Sequence, residues 1–214
     1  MGRMMWRDDS RRSRVGASKA SGRAASPGTR AVFLDRDGTI IYDRQYLADP
    51  HGVELLPKAA AGLKSLGSLG FRLAVVTNQS GVGRGSFGLE AVEAVHQRLD
   101  LLLASHGVSV DAYFICPHAP ADGCDCRKPR PGLVLKAILQ LHADPAASFM
   151  IGDQPTDILA GRAAGARTVR ISSGPVLPGP GAEEDGADFR AADLVEAAGL
   201  IAAASGLSRR LHAG

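Results

Sequence analysis

Short apolar runs alternate with helical stripes along this chain. "AVFL" at 31–34 is followed by a helical pattern from Pro57 through Leu63, Leu66 and Leu69. "RLAVVTN" comes next, then a longer helical stripe carrying Leu89, Val92, Val95, Leu99, Leu102 and Leu103. "AYFICPH" follows, and beyond it Pro131 opens a helix bearing Leu135, Ile138 and Leu139. "SFMIGD", a short helix from about Thr156 to Ala164 stopped by Gly165, and "RTVRIS" continue the alternation. "ADFRAADLVEAAGLIAAAS" offers a last short strand and a closing helix. Proline suits the first turn of a helix and glycine its end. Continuous apolar runs of strand length between helices indicate a parallel sheet covered on both faces. The expectation is one α/β domain over 30–205, a doubly wound parallel sheet, with a Pro/Gly-rich surface loop at 173–186.

Composition adds that a core is affordable in size: 45% of residues are apolar and 22% charged. No run of eighteen apolar residues is present, so no membrane-spanning helix is expected. Charge is uneven. Residues 1–30 hold eight Lys/Arg against two Asp, whereas the whole chain is only +3, which leaves the body at −3. Residues 1–29 read as a basic disordered tail and 206–214 as a second tail. The near-neutral body argues against a nucleic-acid surface. The basic start lacks the apolar stretch of a signal peptide, and three cysteines do not make a disulfide scaffold. A cytoplasmic location and a monomer are expected.

Ligands of such sheets sit outside the carboxyl ends of the strands. Four strand ends here carry chemistry: Asp35-Arg36-Asp37-Gly38-Thr39, Thr77-Asn78-Gln79-Ser80-Gly81, the stretch ending in Arg127-Lys128, and Gly152-Asp153 with Asp157 beyond. Converging carboxylates call for a hard divalent cation, and magnesium prefers oxygen ligands. A magnesium ion, a lysine and a hydroxyl beside a free carboxylate suit a phosphoryl group. A carboxylate could attack phosphorus, and a second carboxyl two residues on could move the proton. Each motif alone has a plainer explanation as a turn or helix cap.

"FLDRDGT", "VVTNQSG", "RKPRPG" and "IGDQPTD", in order over about 125 residues, resemble the four motifs of the haloacid-dehalogenase-like (HAD) phosphatases. The resemblance implies Asp35 as nucleophile, Asp37 as general acid/base, Thr77 on the phosphoryl group with Asn78 beside it, and Lys128 neutralising charge. It implies magnesium on Asp35, the backbone carbonyl of Asp37, and Asp153, with Asp157 behind them.

All three cysteines lie in "CPHAPADGCDC". Cys116, His118, Cys124 and Cys126 form a full tetrahedral set for a structural zinc ion. Reactive thiols and buried apolar cysteines are the alternatives, and iron is a second candidate for the ion. The loop 116–126 ends on Arg127 and Lys128, so pinning it would aim both cations.

With this loop the chain is similar to the D-glycero-D-manno-heptose 1,7-bisphosphate 7-phosphatases and their histidinol-phosphatase relatives. That likeness implies removal of a 7-phosphate in a route to lipopolysaccharide heptose, with a small phosphorylated sugar as substrate. It implies no large cap domain. It also implies substrate contacts from Asp43, Arg44, Gln45, Tyr46, Thr77, Asn78, Gln79, Ser80, Arg127, Lys128 and Gln154. Gln154 stands where a lysine is common, and Arg84 either compensates or is a solvated surface residue. Histidinol-phosphate hydrolysis is the nearest rival; a polynucleotide 3′-phosphatase and a non-catalytic zinc-bearing interaction protein stand further off. The remaining histidines, His96 among them, show no partner pattern.

Overall fold

The structure, a computed structural model, describes residues 28–172 and 186–207. Residues 1–27 of the basic segment, 173–185 of the Pro/Gly-rich loop and 208–214 of the second tail lie outside the described residues. The elements run in this order: β1 (Ala31–Leu34), α1 (Ala59–Ser68), β2 (Arg72–Asn78), α2 (Ser80–Gly83), α3 (Leu89–Ala104) and β3 (Ala112–Cys116). Then come α4 (Gly132–Leu141), β4 (Phe149–Gly152), α5 (Pro155–Ala163), β5 (Arg167–Ile171), β6 (Phe189–Ala191) and α6 (Leu194–Ala204). All strands pair parallel in the order β3-β2-β1-β4-β5-β6, the doubly wound arrangement expected from the alternation.

Period-two side-chain alternation divides β1 to β4 between two cores. Val32 and Leu34 face one core with Leu63 and Leu66 of α1, Val95, Leu99 and Leu103 of α3, and Ala197 and Ile201 of α6. Ala31 and Phe33 face the other with Leu133, Val134 and Ala137 of α4 and Ala160 of α5. Both faces are thus covered, which is why the strands read as unbroken apolar runs.

Helix starts differ from expectation at α1 and, by one residue, at α4, where Pro131 stands at the N-cap and Gly132 opens the helix. Pro57 precedes α1 and does not open it. Lys58 stands between them in a left-handed conformation, φ 64°, and its ammonium pairs with Asp193 at 2.6 Å. Asp193 in turn caps α6 through Val195 N and Glu196 N. Pro131 caps α4, and Pro155 opens α5. None of the described helices is long and apolar enough to cross a membrane.

Candidate active site

Strand order brings the motif residues together. β1 is central, with β2 on one side and β4 on the other, so Asp35, Thr77 and Asp153 leave adjacent strands on one rim. Asp35 N donates to Ile151 O at 2.9 Å, which continues the β1–β4 ladder into the site. The rim opens into a cavity of about 410 Å³.

Lys128 lies at its floor, 3% exposed. Its Nζ reaches Asp35 Oδ1 at 2.7 Å, Asp157 Oδ1 at 2.6 Å and donates to Val76 O at 2.9 Å. These three neighbours match the three donors of an ammonium. Burial alone would depress the Lys128 pKa, but the Asp35 and Asp157 carboxylates outweigh it and hold the pKa above the ordinary value. Burial pushes Asp35 up to about 7; Lys128 opposes that rise and Asp157 adds to it. Burial likewise raises Asp153, against the hydrogen bond from Gln154.

Asn78 holds Lys128 from behind. Its Oδ1 accepts from Lys128 N at 3.1 Å and its Nδ2 donates to Lys128 O at 3.2 Å. This two-point grip on the backbone was not foreseen for Asn78, whose resemblance-based role faced the substrate. Thr77 Oγ1 accepts from Gln79 Nε2 at 2.8 Å, and the same amide reaches Asp37 Oδ2 at 3.0 Å. Gln79 is 4% exposed, so its amide organises the site from within.

Carboxylate oxygens of Asp35, Asp153 and Asp157 lie within 4.8 Å of one another. Three such groups repel unless a cation joins them, and oxygen donors alone fit a hard divalent ion. Asp157 is fully buried and occupied from both sides. Oδ1 meets the Lys128 ammonium at 2.6 Å, while Oδ2 accepts from Gln154 N at 2.9 Å. That leaves Asp35 and Asp153 as the carboxylates facing the cavity with oxygens to spare. Asp153 can crowd the first motif because Gly38, at φ +78°, has no Cβ; one added there would come within 2.7 Å of Asp153 Cγ.

Of the other expected substrate residues, Asp43, Gln45, Tyr46, Ser80, Arg127 and Gln154 line the cavity. Arg44 does not. It is exposed and pairs with Glu54 at 2.5 Å, away from the cavity lining. Gln45 and Tyr46 have φ of 48° and 62°, left-handed values that cost non-glycine residues roughly 1 kcal/mol or more each. Gln154 Nε2 donates to Asp153 Oδ2 at 2.7 Å. Arg84 is exposed and absent from the cavity lining.

The sulfur cluster forms as the spacing suggested. Sγ–Sγ separations are 3.6 Å for Cys116–Cys124, 3.3 Å for Cys116–Cys126 and 3.4 Å for Cys124–Cys126. His118 Nδ1 lies 3.6 Å from Cys116 Sγ and 3.2 Å from Cys126 Sγ. A zinc–sulfur bond of about 2.3 Å sets tetrahedral edges near 3.8 Å, so the donors need only small outward shifts. The Cys126 contact draws the Cys116 thiol down to about 5, and the same contact pushes Cys126 up. Crowded thiols that cannot all ionise unaided are a fit for a thiophilic cation. The loop touches the active site twice: Cys116 O accepts from Gln79 N at 2.8 Å, and Arg127 Nη1 donates to His118 O at 3.5 Å.

Two groups escaped the sequence reading. Arg36, between the two motif aspartates, is fully buried, and His96 of α3 is 6% exposed and bonded to it. His96 sits on the stripe of Val92, Val95, Leu99 and Leu103, and a polar residue in an apolar stripe was the available signal.

A family model described as HAD-hydrolase-like matches residues 125–197. A D-glycero-beta-D-manno-heptose-1,7-bisphosphate 7-phosphatase from Pasteurella multocida (strain Pm70) is 39% identical over 152 residues, covering 68% of this chain and 83% of that protein. The Escherichia coli (strain K12) protein of the same name is 41% identical over 157 residues, covering 69% and 82%. The crystal structure of a D,D-heptose 1,7-bisphosphate phosphatase from B. bronchiseptica, complexed with magnesium and phosphate, superposes with a TM-score of 0.72 at 28% identity, covering 82% of this chain and 99% of that one. With the four motifs gathered at one cavity and these likenesses across most of the relatives' length, the chain belongs to the heptose-1,7-bisphosphate 7-phosphatase family of HAD-like hydrolases.

Proposed function

We propose that this protein is a magnesium-dependent phosphomonoester hydrolase that removes the 7-phosphate of D-glycero-β-D-manno-heptose 1,7-bisphosphate. The carrying observation is the Lys128 ammonium 2.7 Å from Asp35, at the floor of a cavity whose rim also holds Asp37, Thr77 and Asp153. Asp35 attacks phosphorus, the bond to the sugar oxygen breaks, and Asp37 gives that oxygen its proton. Asp37 then takes a proton from water, which attacks the aspartyl-phosphate and frees inorganic phosphate and Asp35. Lys128 opposes the burial-driven rise in the Asp35 pKa and offsets charge on the phosphoryl oxygens, while Thr77 and its neighbours orient them. Asp35 and Asp153, with the backbone carbonyl of Asp37, would hold magnesium. When bound, the ion would screen the phosphate so that an anionic nucleophile can approach. Magnesium and phosphate in the Bordetella relative support this assignment.

The strained pair Gln45-Tyr46 and the half-buried Arg127 support a sugar-phosphate pocket formed by loops. Cys116, His118, Cys124 and Cys126 would hold a structural zinc ion that braces Arg127 through His118 O.

Phosphate release from the heptose bisphosphate, histidinol phosphate and a 3′-phosphorylated oligonucleotide, with magnesium and with a chelator, tests the proposal. The expected result is a kcat/KM for the heptose at least about tenfold above both rivals, lost with chelator. An equal or reversed ranking would overturn it.

A further inference from the structure

A buried polar chain leads from the reacting carboxylates into α3. Arg36 is 0% exposed, yet it carries a permanent charge, and removing such a charge from water costs several kcal/mol unless it is paired. Its Nε donates to Asp37 Oδ2 and its Nη2 to Asp37 Oδ1, both at 3.1 Å. This fork fixes the plane of the carboxylate as well as its position. The remaining arm, Nη1, lies 3.2 Å from His96 Nε2. A guanidinium can only donate, so His96 must be neutral, with Nε2 accepting and its proton on Nδ1. Burial, then the Arg36 charge, depress the His96 pKa to about 3 and keep the ring in that state.

The ring itself is clamped. It stacks on Tyr113 with centroids 4.3 Å apart and planes 20° apart. The Tyr113 hydroxyl donates to Asp100 Oδ1 at 2.6 Å, which ties β3 back to α3. Asp37, Arg36, His96, Tyr113 and Asp100 therefore form one continuous train of contacts.

We propose, on the reading of Asp37 as general acid/base, that His96 is a positioning residue for it: by accepting from Arg36, His96 holds the guanidinium fork that aims the Asp37 carboxyl at the leaving oxygen. Without that acceptor the fork has an unsatisfied buried donor and turns toward whatever acceptor is near, carrying the carboxylate off line. The effect reaches only the two steps in which Asp37 moves a proton: departure of the sugar oxygen, and the attack of water on the aspartyl-phosphate, which is common to every substrate.

Leaving-group dependence is the readout. A sugar alkoxide needs a proton from Asp37, whereas p-nitrophenolate departs without one. The ratio kcat/KM, which covers the steps up to departure of the leaving group, is measured on a sugar phosphate and on p-nitrophenyl phosphate for the wild type, His96→Phe, His96→Gln and Asp37→Asn, with melting temperatures. His96→Phe keeps the stack on Tyr113 and loses the acceptor; it should lower kcat/KM on the sugar about tenfold, a partial loss of what general acid catalysis supplies, and on p-nitrophenyl phosphate less than twofold. His96→Gln, whose amide oxygen can accept, should recover most of that loss. Equal losses on both substrates, or no loss on the sugar, would overturn the proposal. Asp37→Asn separates the two levels: if it too lacks selectivity for the sugar, the role of Asp37 is wrong; if it is selective and His96→Phe is not, only the role of His96 falls.

Discussion

The Lys128 ammonium stands between two carboxylates, 2.6 Å from Asp157 and 2.7 Å from Asp35. One partner is buried support and the other faces the cavity, so a single side chain joins the stability of the fold to the chemistry. Lys128→Met should abolish turnover, by about 10²–10³-fold or more, and also destabilise, because it strands Asp157 without a counter-charge. Lys128→Met combined with Asp157→Asn should recover much of the lost melting temperature and none of the activity. Recovery of activity would show that Lys128 serves the fold alone.

Stability should depend on pH through Asp35. Its pKa rises from 3.8 to about 7 on folding, chiefly through burial. A carboxyl with a raised folded pKa holds its proton more tightly in the folded chain. Its contribution is therefore full below about pH 4 and lost as pH rises through about 7. Without divalent metal, the melting temperature of the wild type should fall relative to Asp35→Asn across that window, and magnesium should remove the difference. Parallel curves for the two proteins would contradict it.

Asn78 should matter to rate more than to binding. Asn78→Ala frees both the N–H and the carbonyl of Lys128, and a misplacement near 1 Å can cost about 10²-fold in rate. We expect kcat to fall by that order while KM moves less. Steady-state kinetics on the sugar phosphate separate the two, and a change confined to KM would restore the substrate-facing role for Asn78.

Gly83 should couple the phosphate-side loop to the sulfur cluster. A Cβ there would come within 2.8 Å of Pro117 O and 3.0 Å of the His118 carbonyl carbon. Gly83→Ala should cost about 1–3 kcal/mol by forcing these backbones apart. It should also release zinc to a competing chelator more readily than wild type does, whereas Cys126→Ser should lose the metal outright. Unchanged zinc retention in Gly83→Ala would mean the two loops move independently.

Much of this was legible before any coordinates. Strand ends were readable because short apolar runs gave the sheet and each run stopped at a polar motif. The sulfur cluster was readable because its four donors are local in sequence. What escaped depends on partners far along the chain. Arg36 looks like a surface arginine until β1 is seen packed beside α3, and its partner His96 lies sixty residues away. Arg44 sits in the expected segment, but Glu54, outside it, decides where it points. Lys58 displaced the expected start of α1 through a left-handed turn and a bond to Asp193, which no local pattern encodes.

Asp35 and Asp153 come from neighbouring strands, β1 and β4, that are separated in the chain by four α-helices and two strands. On the proposed reading, a nascent polypeptide emerging from the ribosome would therefore carry its nucleophile long before the matching metal carboxylate. Magnesium capture would then be a late event in maturation, waiting on the β4 end of the sheet.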